Sequence, residues 1–325
     1  MKQQWIERPE GGTAFGYRLI VGIARFFGRT VARAFLYPIT LYFVIRRGPE
    51  RRASRDYLRR VFGKKPTFWH ICKHVFWFAA VILDRVFLLS ENYKRFDVQV
   101  YGVEQLRERW SRGKGVLVFG AHVGSFDALR IKAEQRQSLK LRPVIDLEQN
   151  PALSRILNAL NPKLAASIIN ARQEGTTTAL AIKEALDEGS IVTLLAERAR
   201  PGNTVVPAEF FGQQAPFPTA PWQLAAALKV PVVLCFGLYR GGNRYDLHFE
   251  VFEEQIVLDR KNREEGLRVL AQRFAQRLEH HVRIAPYNWF NFYDFWHPHS
   301  SQPHAPRRGS DDVSDAAASD PGQRP

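Results

Sequence analysis

The sequence predicts an α/β fold: a mixed, largely parallel central sheet flanked by helices, preceded by an N-terminal helical segment that associates with a membrane. Three observations carry this. From Val116 onward, short β-branched runs alternate with amphipathic stretches of helix length, the pattern of strands joined by crossover helices. Apolar residues make up 45% of the 325 residues and charged ones 24%, enough for a sizeable core. The basic surplus is local: residues 1–114 hold 23 Lys and Arg against 9 Asp and Glu, whereas residues 115–325 hold 24 against 23. The chain therefore divides into a basic helical region over 1–95, an α/β domain over 96–299, and a polar Pro/Ser/Asp-rich tail over 300–325 expected to be disordered.

The basic region comes first. At 100° per residue, Arg18, Arg25, Arg29 and Arg33 fall within an arc of about 80°, with Leu19, Ile20, Ile23, Phe26 and Phe27 around the rest. A narrow cationic stripe beside a wide apolar face suits a lipid interface. The charge-free run Ala34–Ile45 contains Pro38 and is shorter than the ~18–20 residues a spanning helix needs. A second apolar segment, His74–Leu89, is interrupted by Asp84 and Arg85. Between them, Arg46 through Lys65 form a basic cluster, and each such charge near an anionic leaflet is worth about 1 kcal/mol. An ordinary helical subdomain with a solvated basic face is the competing reading. No nucleic-acid-binding module accompanies the charge, so the expected partner is an anionic membrane surface and not nucleic acid. The polar start lacks a signal-peptide pattern.

The α/β elements follow in order. Val116–Gly120 reads as a buried strand and Ser125–Gln137 as a helix. A strand over Arg142–Asp146 precedes a helix over Pro151–Leu160; a strand over Ala166–Asn170 precedes a helix over Thr176–Asp187 ended by Gly189. Next come the strand Ser190–Glu197, an aromatic, proline-rich loop, the helix Trp222–Leu228 and the strand Val230–Tyr239. Gly241 and Gly242 turn the chain into the alternating strand Arg244–Phe252, and a long amphipathic helix from Arg260 to about Val282 closes the domain.

In such sheets the chemistry sits past the carboxyl ends of the strands. The first such loop reads FGAHVGSFDALR. His122 can act as a general base, and Asp127 can fold back onto its imidazole to fix the tautomer. Gly124 permits a tight turn and lets a substrate approach the backbone, with Ser125 beside it as a further substrate-binding candidate, and free N–H groups at the helix start can stabilise an oxyanion. An H-x4-D pair taken alone arises often by chance. The second loop, LLAERARPG, adds Glu197, Arg198 and Arg200, where arginine offers planar donors to a phosphate or carboxylate. Two cysteines, Cys72 and Cys235, make neither a disulfide framework nor a metal site, and suit a reducing compartment. His70 and His74 in HICKH, and His280–His281, lack further ligands, so no metal is expected. There is no G-x-x-x-x-G-K-S/T phosphate loop and no G-x-S-x-G elbow.

HVGSFD after a strand, the acidic-Arg pair, EFFG, the Ala-rich helix before VPVV and the ending LEHHVRIAPYNWFNFYDFW together resemble the lysophospholipid acyltransferase superfamily. Within it the sequence is most similar to the bacterial lipid A late acyltransferases (lauroyl and myristoyl transferases) and related mannoside acyltransferases, over roughly residues 10–297. It departs from that branch at Ser125-Phe126, where Asn-Trp is common, and at Glu197, where Asp is frequent. The resemblance implies a glycerolipid acyltransferase-like fold and transfer of an acyl group from acyl carrier protein or coenzyme A to a lipid or lipid-like acceptor. It implies His122 as general base supported by Asp127, substrate placed by Glu197, Arg198 and Arg200, and no cofactor. The location implied is the cytoplasmic face of a bacterial inner membrane. A lipid ester hydrolase using His122-activated water, and a non-catalytic membrane adaptor on the same fold, are the alternatives.

Overall fold

The computed structural model describes residues 14–89, 94–129, 140–148, 151–171, 175–199 and 202–297. Helices α1 (Ala14–Arg46), α2 (Gly48–Phe62) and α3 (Phe68–Leu88) come first, followed by strand β1 (Asp97–Tyr101), helix α4 (Val103–Trp110) and strand β2 (Val116–Gly120). Then come β3 (Leu141–Ile145), α5 (Pro151–Leu160), α6 (Pro162–Ser167), β4 (Ile169–Asn170), α7 (Gly175–Asp187) and β5 (Ile191–Leu195). The hairpin β6 (Val205–Phe210) and β7 (Gln213–Pro218), α8 (Ala220–Leu228), β8 (Val232–Gly241), β9 (Arg244–Glu253) and α9 (Arg263–Ile284) complete the chain.

Seven strands form one sheet in the order β1-β9-β8-β2-β5-β3-β4. Only β8–β9 is antiparallel; every other neighbouring pair is parallel. The sheet is therefore mixed and mostly parallel, with helices on both faces. Alternation along β2 explains the layering: Leu117 and Phe119 pack with Trp222 and Phe274 on one face, while Val116 and Val118 pack with Ala80 and Tyr245 on the other. All five β2 residues are buried, so the strand reads as a continuous apolar run.

Two expectations need correction. Residues 205–218 are not a loop but a separate two-stranded hairpin, with Pro207 opposite Pro216. Proline is tolerated there because both strands are edges of a two-stranded unit, and the alternating burial of β6 lays Val206, Ala208 and Phe210 on the core. The span 166–170 is not one strand: Ala166 and Ser167 end α6, Ile168 caps it, and only Ile169–Asn170 pair as strand. The helix expected over 125–137 is described only to residue 129, and the tail from 298 onward lies outside the described residues.

The arginine stripe is also corrected. Helix α1 breaks at Gly28 (φ 79°, ψ 175°), so Arg29 and Arg33 do not continue the face begun by Arg18 and Arg25, whose side chains lie outside the described residues. Both Arg29 and Arg33 turn inward to Asp84, which is fully buried on α3. Arg29 donates to Asp84 at 2.7 and 2.8 Å, the Tyr245 hydroxyl donates to it at 2.8 Å, and Arg33 Nη1 lies 3.8 Å away. Burial pushes the Asp84 carboxyl up, and the two arginines and Tyr245 work against that push. Elsewhere α1 buries Ala32, Leu36, Thr40 and Val44 at four-residue spacing and leaves its opposite face to the exterior. Among the described residues no helix is long and apolar enough to cross a membrane.

Removing the carboxylate from this cluster strands two part-buried guanidinium groups. Asp84→Ala is expected to destabilise the fold by about 3–5 kcal/mol, measured as a lowered denaturation midpoint. Tyr245→Phe, which removes one hydrogen bond and no charge, is expected to cost about 1–2 kcal/mol.

Candidate active site

Strand register builds the site. In the β2–β5 pair Gly120 lies opposite Leu195, and Ala196 N–H donates to the Gly120 carbonyl at 2.9 Å. Two residues past each of those positions stand His122 and Glu197, which brings them side by side. Glu197 Oε1 accepts the His122 backbone N–H at 2.9 Å and the ring Nδ1–H as well. The carboxylate is fully buried; the imidazole is 36% exposed.

Electrostatics follow from that geometry. Burial pushes the Glu197 carboxyl up, but His122 and the Arg198 charge outweigh it and hold it at about 2. The same group is therefore an anion at neutral pH. Burial and the charges of Arg198 and Arg85 lower the His122 pKa below its ordinary 6.5, against the opposing pull of Glu197. A neutral ring whose Nδ1–H is committed to a carboxylate carries its lone pair on Nε2.

The C-terminal segment fixes the histidine loop from behind. Phe290 N–H donates to the His122 carbonyl at 2.9 Å, Gly124 N–H to the Asn288 carbonyl at 2.8 Å, and Ser125 N–H to the Gly237 carbonyl at 2.7 Å. Asn288 is fully buried and exchanges two hydrogen bonds with the Tyr239 backbone, at 2.7 and 3.0 Å. Behind Trp289 stands His74, also fully buried. Its Nε2–H donates to the Trp289 carbonyl at 2.9 Å, so Nδ1 accepts from the Ser54 hydroxyl at 2.8 Å. Burial lowers the His74 pKa to about 4, so the ring stays neutral and serves as a strut. His70 closes a capping box with Thr67 at the start of α3, and His281, in the last turn of α9, bonds Glu250 at 2.7 Å.

Asp127 is not on the imidazole. Its carboxylate accepts from Arg85 Nε at 2.7 Å, and Glu197 occupies the place the H-x4-D spacing had reserved for it. The reason lies in the loop backbone. Gly124 bridges in parallel to Gly237 with φ +58°, and this turn carries the chain across β8 before Asp127 opens the next helical turn towards α3. Gly124 and Ser125 spend their backbone N–H groups on the Asn288 and Gly237 carbonyls. A Cβ at Gly124 would collide with the Gly237 carbonyl oxygen, so that glycine serves backbone packing. The Ser125 side chain is 1% exposed and turns inward.

Arg198 does reach the site, but its Nη2 donates to the Phe290 carbonyl at 2.7 Å and its Nε lies 3.4 Å from Glu197 Oε1. Arg200 lies outside the described residues. Sequence reasoning missed Arg85 and Asn288 as parts of the site. It named Glu197 but not its role, although counting two residues past the ends of two neighbouring parallel strands would have paired it with His122.

A polar pair at the carboxyl ends of adjacent parallel strands, built around a neutral imidazole, can withdraw a proton from a hydroxyl or amine. The family model for bacterial lipid A biosynthesis acyltransferases matches residues 4–297, a span that takes in every described residue and both loops of the site. The chain belongs to that family. No curated protein sequence matches it. Membership in an acyltransferase family agrees with the fold, in which two adjacent strands of a mostly parallel sheet end at the His122–Glu197 pair.

Gly124→Ala tests the loop without touching the ionisable pair. A Cβ there meets backbone and not a flexible side chain, at a φ that L-residues rarely adopt. The variant is expected to lose the Gly124–Gly237 bridge, to lower the unfolding midpoint, and to reduce turnover at least tenfold. Unchanged stability and activity would show that the bridge does not position His122.

Proposed function

We propose that this chain is an acyltransferase that moves an acyl group from an acyl thioester, on acyl carrier protein or coenzyme A, to a hydroxyl or amine of a lipid acceptor. The observation that carries this is the His122–Glu197 pair: an ionised, fully buried carboxylate anchoring Nδ1, with Nε2 left for an acceptor. Nε2 takes the proton from the acceptor as its oxygen or nitrogen bonds the thioester carbonyl carbon. The carbonyl electron pair moves onto oxygen, then returns as the C–S bond breaks, and the departing thiolate takes the proton from the imidazolium. Glu197 stays ionised and supports the imidazolium in between. General-base catalysis of this kind is worth about 10²–10⁴-fold. No covalent acyl-enzyme enters this scheme.

The surface favours work at a lipid interface, and we assign that interface to the cytoplasmic face of a bacterial inner membrane. The outward face of α1 presents Val31, Phe35, Tyr37, Leu41, Tyr42 and Ile45, all exposed, and Trp69 at the start of α3 is 73% exposed. Arg46, Arg52, Arg55, Arg59, Lys64 and Lys65 are exposed on α1, α2 and the turn that follows. Apolar area with adjoining cationic side chains is the combination that holds a monotopic protein on an anionic leaflet.

His122→Ala is expected to reduce kcat/KM by about 10²–10⁴-fold with the fold retained; near-normal turnover would end the mechanism. The active form has a neutral ring, so activity should rise with pH through an apparent pKa below 6.5. Glu197→Gln removes the attraction that raises the His122 pKa, so its acid limb should move to still lower pH while the rate falls. Acceptor-independent release of free fatty acid at the full rate would identify a hydrolase instead.

Binding to vesicles containing anionic phospholipid separates the two surface contributions. Salt screens the cationic part over about 8 Å at physiological strength and leaves apolar burial intact. High salt alone is expected to release little protein, and high salt applied to Leu41→Asp/Tyr42→Asp to release most of it. Wild-type protein that stays unbound at low salt would remove the membrane reading.

A further inference from the structure

Two guanidinium groups stand at the histidine loop, Arg198 against Glu197 and Arg85 against Asp127, and their surroundings differ. Arg198 is tied to the protein: it bonds the Phe290 carbonyl, lies against Glu197 and sits over the Tyr293 ring at 5.5 Å, with 16% of its side chain exposed. Arg85 comes from the last turn of α3. Asp127 fixes it through an Nε to Oδ2 contact of 2.7 Å, and 27% of its side chain is exposed. Asp127 makes that contact from the first helical turn after the histidine loop, five residues beyond His122. The H-x4-D spacing therefore delivers a carboxylate to α3 and not to the ring.

We propose that Arg85, positioned by Asp127, supplies the positive charge that stabilises the negative charge developing on the thioester carbonyl oxygen during acyl transfer. This rests on the acyltransferase reading. It assigns the two carboxylates of the site separate tasks: Glu197 holds the base, and Asp127 holds the cation. The His122 ring already feels the Arg85 charge, which lowers its pKa together with burial and Arg198 and against Glu197. A fixed cation beside a partly desolvated reaction centre acts where charge appears, and it needs no reorganisation as the oxyanion forms. An arginine free to swing would lose that benefit, which gives Asp127 a reason to be present without touching the imidazole. No electron or proton balance changes: the oxyanion forms and collapses as described above, and Arg85 remains protonated throughout.

The test combines steady-state kinetics with titration of the His122 ring by NMR, on the full chain. Arg85→Gln is expected to lower kcat by roughly 10²-fold with KM nearly unchanged, and Arg85→Lys to recover part of the loss because the charge remains. Asp127→Asn should cost less than Arg85→Gln in the wild-type background and almost nothing further in the Arg85→Gln background. It should add its full effect to Glu197→Gln. The ring titration reads the same contact without turnover: Arg85→Gln should raise the His122 pKa. A raised KM with unchanged kcat, or an Asp127→Asn loss that persists undiminished without Arg85, would overturn the proposal. An unmoved His122 titration would overturn it as well, even if acyl transfer itself is confirmed. Absence of acyl transfer in the wild type would instead remove the acyltransferase reading, with the titration still reporting on Arg85.

Discussion

One carboxylate oxygen organises the site. Glu197 Oε1 accepts both the backbone N–H and the ring N–H of His122, and it can do so only because two parallel strands end in register. The strand pairing sets the separation, the backbone bond sets the height of the loop, and the ring bond sets the tautomer. Placed fully buried, the same carboxylate would be costly without partners, so the histidine loop and the strand end stabilise each other. Everything that locks the loop from behind, from Asn288 to the neutral His74 strut, preserves this one arrangement.

Much of this was legible in the sequence where one physical cue dominated. The buried strand Val116–Gly120 and the helix Pro151–Leu160 stand where periodicity and flanking breakers put them. His122 was findable because a polar residue directly after a fully apolar strand sits at a strand end by necessity. Its partner was harder. Sequence spacing favours Asp127, five residues away, while the true neighbour is 75 residues away and adjacent only through sheet order. Local distance along the chain is a poor guide at a strand end, because the turn direction is set by backbone packing, here by Gly124 against Gly237.

The arginine stripe failed for a related reason. A helical wheel assumes one continuous helix, and Gly28 breaks it. Past the break, Arg29 and Arg33 are drawn to Asp84, the charge that had looked like a mere interruption of an apolar segment. The interruption and the stripe are two halves of one buried cluster, and neither half alone suggests it. Among the described residues of the three N-terminal helices, the exposed basic side chains stand mainly on α2 and the turn after it.

That cluster also ties the outer helices to the chemistry. Asp84 joins α1 to β9 through Tyr245, and one residue later on the same helix Arg85 reaches Asp127 at the histidine loop. Successive residues on a helix point about 100° apart, so adjacent charges on α3 serve two different neighbours. A shift of α3 relative to the sheet would disturb both contacts at once. Ser54 and Tyr57 add a second connection, since α2 reaches the C-terminal segment through His74 and the Pro286 carbonyl. The N-terminal helices are thus part of the scaffold that aims His122, and the apolar face of α1 is held in a fixed orientation to the site.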